Sequence, residues 1–294
     1  MEAINKESTL QRLKSYRKHP LSAILFLLVV ISAVITLTVL IALIAYILIK
    51  GIPNLSPELF EWEYTTENVS MMPAIINTLI ITALSLLFAL PVGICSAIYL
   101  VEYAKRGNKL VSIVRITTET LSGIPSIVYG FFGLVVIVPI MQDLTGTNGK
   151  GILTASILLG IMILPTVIGV SESAIRAVPN SYYEGSLALG ATHERSVFFA
   201  VLPAAKQGIL AGVILGVGRA IGETMAVIMV AGNNAVMPKS IFSGVRTLTA
   251  NIVMEMGYAT DLHREALLGT GVVLFVFILI INLSFSILNR KAEA

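Results

Sequence analysis

The sequence is poor in cysteine and in charged residues, and both shortages exclude classes of protein. Its single cysteine, Cys95, can form neither an intrachain disulfide nor a zinc site, and we expect it to be inert packing in an apolar run. Charged side chains make up only 13% of the 294 residues, whereas roughly 25% is typical of globular domains. The net charge of +3 is too small to indicate a nucleic-acid partner.

The sequence also lacks the common signatures of catalysis. The nearest approach to a nucleotide-binding P-loop, at 146–151, has no glycine six positions before Lys150 and no Ser or Thr after it. Neither an HExxH zinc-protease pattern nor a GxSxG nucleophile elbow occurs. We therefore predict no enzymatic activity and no cofactor, so any ATP hydrolysis must come from another chain.

Apolar residues are in excess, at 56% of the chain with a mean hydropathy of +0.88. A spanning helix needs about 20 mostly apolar residues, and six stretches reach that length. We predict an all-α fold, a polytopic bundle of six transmembrane helices in a lipid bilayer, forming one domain over 21–291. The predicted spans are about 21–49, 73–101, 111–142, 151–171, 207–238 and 266–289.

The distribution of Lys and Arg predicts the orientation in the membrane. Fourteen of these residues lie in the tail 1–20, the loops 102–119 and 172–206, and the C-terminus, against five on the other side. Cytoplasmic loops are enriched in Lys and Arg, so both termini should be cytoplasmic. The outer loop 51–72 carries four glutamates and no basic residue, which predicts either a solvated loop or a docking surface.

Two charges interrupt the fifth predicted span. Arg219 and Glu223 are four residues apart, so a continuous helix would place them on one face. If that helix enters the membrane near Gln207, they lie about 18 Å and about 24 Å deep, where charges are costly. We predict that the planar guanidinium of Arg219 meets an oxyanion on a pathway and that Glu223 holds Arg219 when substrate is absent. The alternative is an ion pair that fixes helix packing.

Glycine spacing predicts close packing of the same helix. Gly208, Gly212 and Gly216 follow one another at intervals of four residues. In lipid, this spacing lets helix backbones approach closely. We therefore expect the helix to sit centrally in the bundle rather than facing lipid.

A proline and a glycine break the third predicted span. Pro125 removes a helical hydrogen bond and Gly123 loosens the backbone. Freed carbonyls at membrane depth are tolerated where the backbone is buried or lines a cavity. The segment is therefore either a simple kink or a cavity wall formed by Ser122, Ser126 and Tyr129.

The predicted cytoplasmic loop reads as a short helix, a glycine turn and a second helix that leads into a span. It resembles the inner loop of the permease subunits of binding-protein-dependent ABC importers: Glu-Ala-Ala, three residues, Gly, nine residues, Ile, one residue, Leu-Pro. The matching positions are Glu184, Gly190, Leu202 and Pro203. The departures are Gly185 and Ser186 for the alanines and Ala200 for the isoleucine.

This resemblance implies the fold of a type I ABC importer permease, with 172–206 as a coupling loop that sits in a groove of a cytoplasmic ATPase. Glu184, Gly190, Leu202 and Pro203 would then belong to the ATPase-coupling segment. By the residues alone, the loop is an ordinary amphipathic connection.

Two further stretches, 123–130 and 218–233, resemble the phosphate permeases, and the Thr-Met-Ala-Val run after Glu223 is more similar to PstC-type than to PstA-type subunits. The resemblance implies import of inorganic phosphate across the cell inner membrane by alternating access. It also implies a heterodimer with a related second permease, a cytoplasmic ATPase dimer and an extracytoplasmic phosphate-binding protein. The candidate pathway residues are Arg219, Glu223, Ser126 and Tyr129.

Three other functions fit parts of the pattern. The same machinery could carry molybdate, sulfate or another oxyanion, because Arg219 alone does not separate these anions. A secondary anion transporter or channel would work without an ATPase. A structural or signalling membrane subunit would use Arg219 and Glu223 only as a packing pair.

Overall fold

The computed structural model describes residues 20–104 and 107–291, so the predicted basic tail lies outside the described residues except for Pro20. Lys105 and Arg106, which contribute to the predicted cytoplasmic charge, also lie outside them. The described chain is all-α apart from an isolated bridge between Gly232 and Val245. The helices are α1 (Pro20–Gly51), α2 (Met72–Ile98), α3 (Lys109–Gly123), α4 (Ser126–Phe132), α5 (Val138–Thr145), α6 (Ile152–Arg176), α7 (Asn180–Ala188), α8 (His193–Ser196), α9 (Leu202–Gly222), α10 (Met225–Val230), α11 (Leu248–Glu255) and α12 (Asp261–Lys291).

Three π-helical turns extend or join these helices. Tyr99–Tyr103 extends α2, Gly133–Ile137 joins α4 to α5, and Val197–Val201 joins α8 to α9. With these joins, six helices of the described chain are long and apolar enough to cross a membrane, as predicted. They are Leu21–Asn54, Met72–Tyr103, Ser126–Thr145, Ile152–Arg176, His193–Gly222 and His263–Ser284.

Helix α6 is the centre of the bundle. It packs against α2 on one side and α9 on another, and 67% of its most apolar stretch is buried. None of the corresponding stretch of α1 is buried, and the helix that α1 packs against is α12. A lipid bilayer is the solvent in which an apolar helix exposed in this way is stable.

The glycine spacing on α9 produces the predicted tight packing. A Cβ atom at Gly212 or Gly216 would lie 3.2 Å from Val170 or Val167 on α6, and one at Gly208 would overlap Ala174. The glycines therefore let the backbone of α9 lie directly against α6, which fixes the position of Arg219 near the far end of α9.

We expect Gly208→Ala to destabilise the bundle, because the added methyl group meets the Cβ atom of Ala174 on a closely packed helix. Overpacking of this kind costs about 1–3 kcal/mol. Gly218→Ala is the matched control, since nothing lies within 4 Å of a Cβ there. Thermal unfolding in detergent should show a lower midpoint for Gly208→Ala only. Equal midpoints would mean that α6 and α9 accommodate the added methyl group without loss of stability.

Two of the predicted spans are interrupted. The span predicted at 111–142 divides between α3 and α4, because Pro125 has no N–H and restricts the preceding residue. The span predicted at 207–238 starts earlier, at α8, and ends at Gly222, so the prediction of one helix over this range was wrong. Glu223 has extended backbone angles, φ −69° and ψ 129°, and the short helix α10 follows it.

After α10 the chain forms a non-helical segment, 231–247, over the start of α6. The N–H groups of Gly151, Ile152 and Leu153 donate to carbonyls of Val230, Ser243 and Ile241. The first N–H groups of a helix have no partner within the helix, so this segment satisfies them. The fifth span therefore ends early, and the residues that follow it accept hydrogen bonds from the N–H groups at the start of α6.

Candidate substrate pathway and coupling loop

The two broken spans meet in the fold. Helix α4, which follows the break at Pro125, packs against α10, which follows the break at Glu223. A Cβ atom at Gly130 would lie 2.8 Å from the Met229 sulfur and 2.9 Å from the Ala226 Cα, so only glycine permits this approach. The glycine that ends the 123–130 stretch therefore joins the two interruptions into one site.

Arg219 and Tyr129 lie on the elements that border the two breaks. Arg219 lies in the last turn of α9 and is half-buried. Tyr129 is buried, and its hydroxyl donates to the Leu121 carbonyl at 2.8 Å, which links α4 to α3 across the break. The Tyr129 phenol is therefore fixed across the break at Pro125.

The two serines of the predicted cavity wall differ in position. Ser126 is the first residue of α4 and is half-buried. Ser122 is exposed and donates its hydroxyl to the Glu119 carbonyl of its own helix at 2.7 Å. Ser122 is thus engaged in its own helix, whereas Ser126 remains a candidate beside Tyr129.

Glu223 does not share a helix face with Arg219, which corrects the prediction. Its Oε1 accepts hydrogen bonds from the backbone N–H groups of Thr224 at 3.1 Å and Ala226 at 3.2 Å, so it caps the start of α10. Carboxylates are favourable at helix N-termini because the N–H groups there lack partners. Within the described ranges, no ion pair joins Glu223 to Arg219.

Thr249 also belongs to this site, and no sequence pattern indicated it. Its hydroxyl donates to the Glu223 carbonyl at 3.0 Å, which ties the break after α9 to the start of α11. Both ends of Glu223, its carboxylate and its carbonyl, are therefore engaged. Neither end of Glu223 is paired with Arg219 in the part of the chain that the structure describes.

We expect Glu223→Gln to retain the cap, because the amide keeps an oxygen acceptor, and Glu223→Ala to lose it. Loss of a capping side chain costs about 0.5–2 kcal/mol. Thermal unfolding of the two variants in detergent should separate them, with Gln closer to the wild-type midpoint. If Gln and Ala were equally destabilising, the negative charge itself would be required and the cap would not explain Glu223.

A second basic residue fixes the outer segment near the site. Arg246 donates to Glu255 Oε1 at 2.8 Å, to Asn251 Oδ1 at 3.1 Å and to the Asn233 carbonyl at 3.1 Å. Buried Asn77 on α2 donates to the Val236 and Arg246 carbonyls. These bonds hold 231–247 in place, and the isolated position of Arg246 in the sequence did not indicate this role.

The predicted coupling loop has the predicted order of elements. Helix α7 is followed by Gly190 with φ +84°, a conformation that glycine adopts without strain, and then by α8. Pro203 stands just after the π-helical turn Val197–Val201, near the start of α9, and a local π adjustment of this kind lets a helix tolerate the missing N–H of proline. Leu202 packs against a small apolar cluster of the bundle, while Glu184 and Gly190 are exposed.

The surface of α7 that faces away from the bundle is exposed. No residue of α7 is buried, and Leu189, directly after it, is 91% exposed. Leu187 is also exposed. Exposed apolar residues beside a polar helix are typical of a protein contact surface.

A cavity of about 1090 Å³ lies beside the coupling loop, between α3 and the cytoplasmic ends of α2 and α6 in the predicted orientation. At its edge Glu172 accepts from Arg115 at 2.6 Å and from Arg176 at 3.0 Å, which joins α3 to α6. The charged residues that line it have both signs: Glu102, Lys109, Arg115, Glu119 and Arg176. Among the described residues, the lining therefore carries charges of both signs.

Known proteins are similar to this chain in sequence. Residues 89–294 match the family of binding-protein-dependent transport system inner membrane components. The chain is 37% identical to a probable ABC transporter permease protein, YqgH, of Bacillus subtilis over 87% of this chain and 88% of that protein. It is 34% identical to the phosphate transport system permease protein PstC of Haemophilus influenzae over 73% of this chain and 74% of that protein.

Solved structures agree on the architecture. A chain of the MetNI methionine ABC transporter superposes with a TM-score of 0.60 at 21% identity, covering 74% of this chain and 94% of that chain. A chain of a bacterial alginate ABC transporter, in complex with a periplasmic protein, gives 0.63 at 17% identity, covering 94% and 97%. These likenesses confirm the type I importer permease fold. The chain belongs to the inner membrane components of binding-protein-dependent transport systems and is a permease subunit of the PstC type.

Proposed function

We propose that this chain imports inorganic phosphate as one of two related permeases in an ATP-driven complex. The observation that supports this substrate is Arg219, a cation without a carboxylate partner in the described chain, in the last turn of the helix that ends at the second break. A guanidinium forms paired hydrogen bonds to phosphate oxygens and keeps its charge at any physiological pH. The PstC relatives support the same substrate.

The proposed pathway passes Arg219 and Tyr129, with Ser126 beside them. Discontinuous helices are suited to a pathway because they place unpaired backbone groups and polar side chains at membrane depth. Glu223 shapes this site through its cap on α10 and its contact with Thr249. Its role is therefore to hold the backbone at the break rather than to bind the anion.

The proposed ATPase contact is the coupling loop, with Glu184 and Gly190 exposed and Leu202 and Pro203 connecting it to α9. Such a contact requires 172–206 to face the cytoplasm, in agreement with the fourteen basic residues on that side. Both termini are then cytoplasmic. ATP-driven movement of the coupling loop would change access to the site from one side of the membrane to the other.

The outer loop 51–72 is the proposed docking surface for a phosphate-binding protein. Asn68 makes it rigid, since its side chain donates to Glu61 Oε2 at 2.7 Å and to the Glu63 carbonyl at 2.9 Å. Trp62 is 63% exposed among glutamates. An ordered acidic surface with an exposed aromatic residue suits a basic face on the partner.

We expect the complete complex in proteoliposomes to take up labelled phosphate only with ATP and the loaded binding protein. A large excess of sulfate or molybdate should not reduce this uptake. Uptake of sulfate or molybdate in place of phosphate would assign another oxyanion to the same machinery. Phosphate uptake that persists without the ATPase would identify an ATP-independent anion transporter and overturn the proposal.

A further inference from the structure

The coupling helix α7 has few attachments to the rest of the bundle. None of its residues is buried, so it has no core of its own. The Tyr183 ring packs against an apolar cluster formed by the ends of α2, α6 and the start of α9. Ser186 accepts a hydrogen bond from Ser196 on α8 at 3.0 Å. A helix held in this way can transmit a force only through the side chains that attach it.

His193 connects Tyr183, which attaches α7 to the bundle, to the end of α2. The Tyr183 hydroxyl and the His193 Nδ1 are joined by a hydrogen bond of 2.8 Å. The His193 ring also packs edge-on against Tyr103, with ring centroids 4.8 Å apart and planes at 77°. Tyr103 ends the π-helical extension of α2. We call Tyr103, Tyr183 and His193 the histidine clasp.

We propose that the histidine clasp transmits movement of the coupling helix to the transport pathway, with Tyr183 and His193 as positioning residues. This inference rests on the proposed function, because it requires an ATPase to move α7. His193 is the first residue of α8, which continues through Val197–Val201 into α9. Arg219 lies at the other end of α9, so the clasp is attached to the helix that carries the proposed anion ligand.

The backbone on both sides of the clasp has a feature that suits movement. Tyr99–Tyr103 and Val197–Val201 are π-helical turns; the first ends at the clasp and the second starts four residues after His193. Single π-turns inside α-helices are rare and frequently lie at functional sites. The turn Val197–Val201 lies inside the continuous helix that joins α8 to α9, whereas Tyr99–Tyr103 ends α2. Movement of α7 would therefore be passed to α2 and to the helix that continues into α9, each next to a π-helical turn.

The sharpest test is Tyr183→Phe, which removes the hydroxyl and leaves the ring in its apolar cluster. ATP hydrolysis and phosphate uptake are measured in parallel in the complete complex with the loaded binding protein. We expect hydrolysis to persist while the phosphate imported per ATP falls about two- to ten-fold, the effect of losing one hydrogen bond. Tyr99→Phe is the matched control, because Tyr99 is exposed at the same end of α2 and lies outside the clasp. It should keep the wild-type ratio.

A histidine pair of variants separates transmission from folding. His193→Ala should uncouple the complex, and His193→Asn, which keeps a polar atom near the Nδ1 position, should restore much of the ratio. A wild-type ratio in Tyr183→Phe would overturn the clasp, whatever happens to the histidine variants. If the wild-type complex imports another oxyanion, the proposed substrate is wrong. The ratio measured with that anion then still decides the clasp.

Discussion

Arg219→Ala is expected to lower ATP-driven phosphate uptake by about ten- to hundred-fold without preventing assembly of the complex. The range follows from the loss of a hydrogen bond to a charged group, worth about 1.5–3 kcal/mol. Arg246 does not replace this cation, because its guanidinium is engaged by Glu255. Uptake in proteoliposomes and co-purification of the ATPase measure the two parts of the prediction.

Arg219→Lys distinguishes the geometry of the ligand from its charge. Lysine keeps the charge but lacks the planar fork, so uptake should fall here too, by less than in the alanine variant. Arg264→Ala is the matched control, since it removes an arginine at an exposed position near the start of α12. Full uptake with lysine would mean that charge alone is needed. Normal uptake with alanine would make Arg219 a packing residue and place the route elsewhere.

The number of spans and the break at Pro125 were predictable because their causes are local. Hydropathy over about 20 residues decides whether a helix is stable in lipid, and proline carries its own reason for ending a helix. The packing of Gly208, Gly212 and Gly216 was predictable for the same reason, since the spacing alone defines the face. In each case the residue type requires the structure that is observed.

The end of α9 at Gly222 was not predictable from local pattern. The stretch after Arg219 is apolar and fits a helix, and what ends it is the capping of α10 by Glu223 together with a contact from Thr249, 26 residues further on. A four-residue spacing of opposite charges favours a helical pair, and here tertiary contacts override that preference. The contact between the two interruptions depends on the same fold, because Gly130 permits α4 to reach α10.

Leu189→Asp is expected to release the ATPase and reduce phosphate uptake to background. Leu189 is 91% exposed beside the coupling helix. The exposed leucines outside the coupling loop lie on membrane-spanning helices, where lipid covers them. Placing a carboxylate in an apolar contact costs at least about 2 kcal/mol, close to thirty-fold in affinity, if Leu189 is a central residue of the interface. The measurement is co-purification of the ATPase with the permease, followed by uptake.

Two further variants define what that result means. Leu144→Asp makes the same change at a leucine that is 76% exposed near the end of α5, on the side opposite the coupling loop in the predicted orientation. It should leave the ATPase bound, which rules out a general effect of an added charge. Leu189→Met should also bind, because it conserves apolar volume. If Leu189→Asp retained the ATPase at full affinity, the docking surface would lie away from the end of α7. If it retained the ATPase but lost uptake, Leu189 would act after docking, in the movement of the coupling helix.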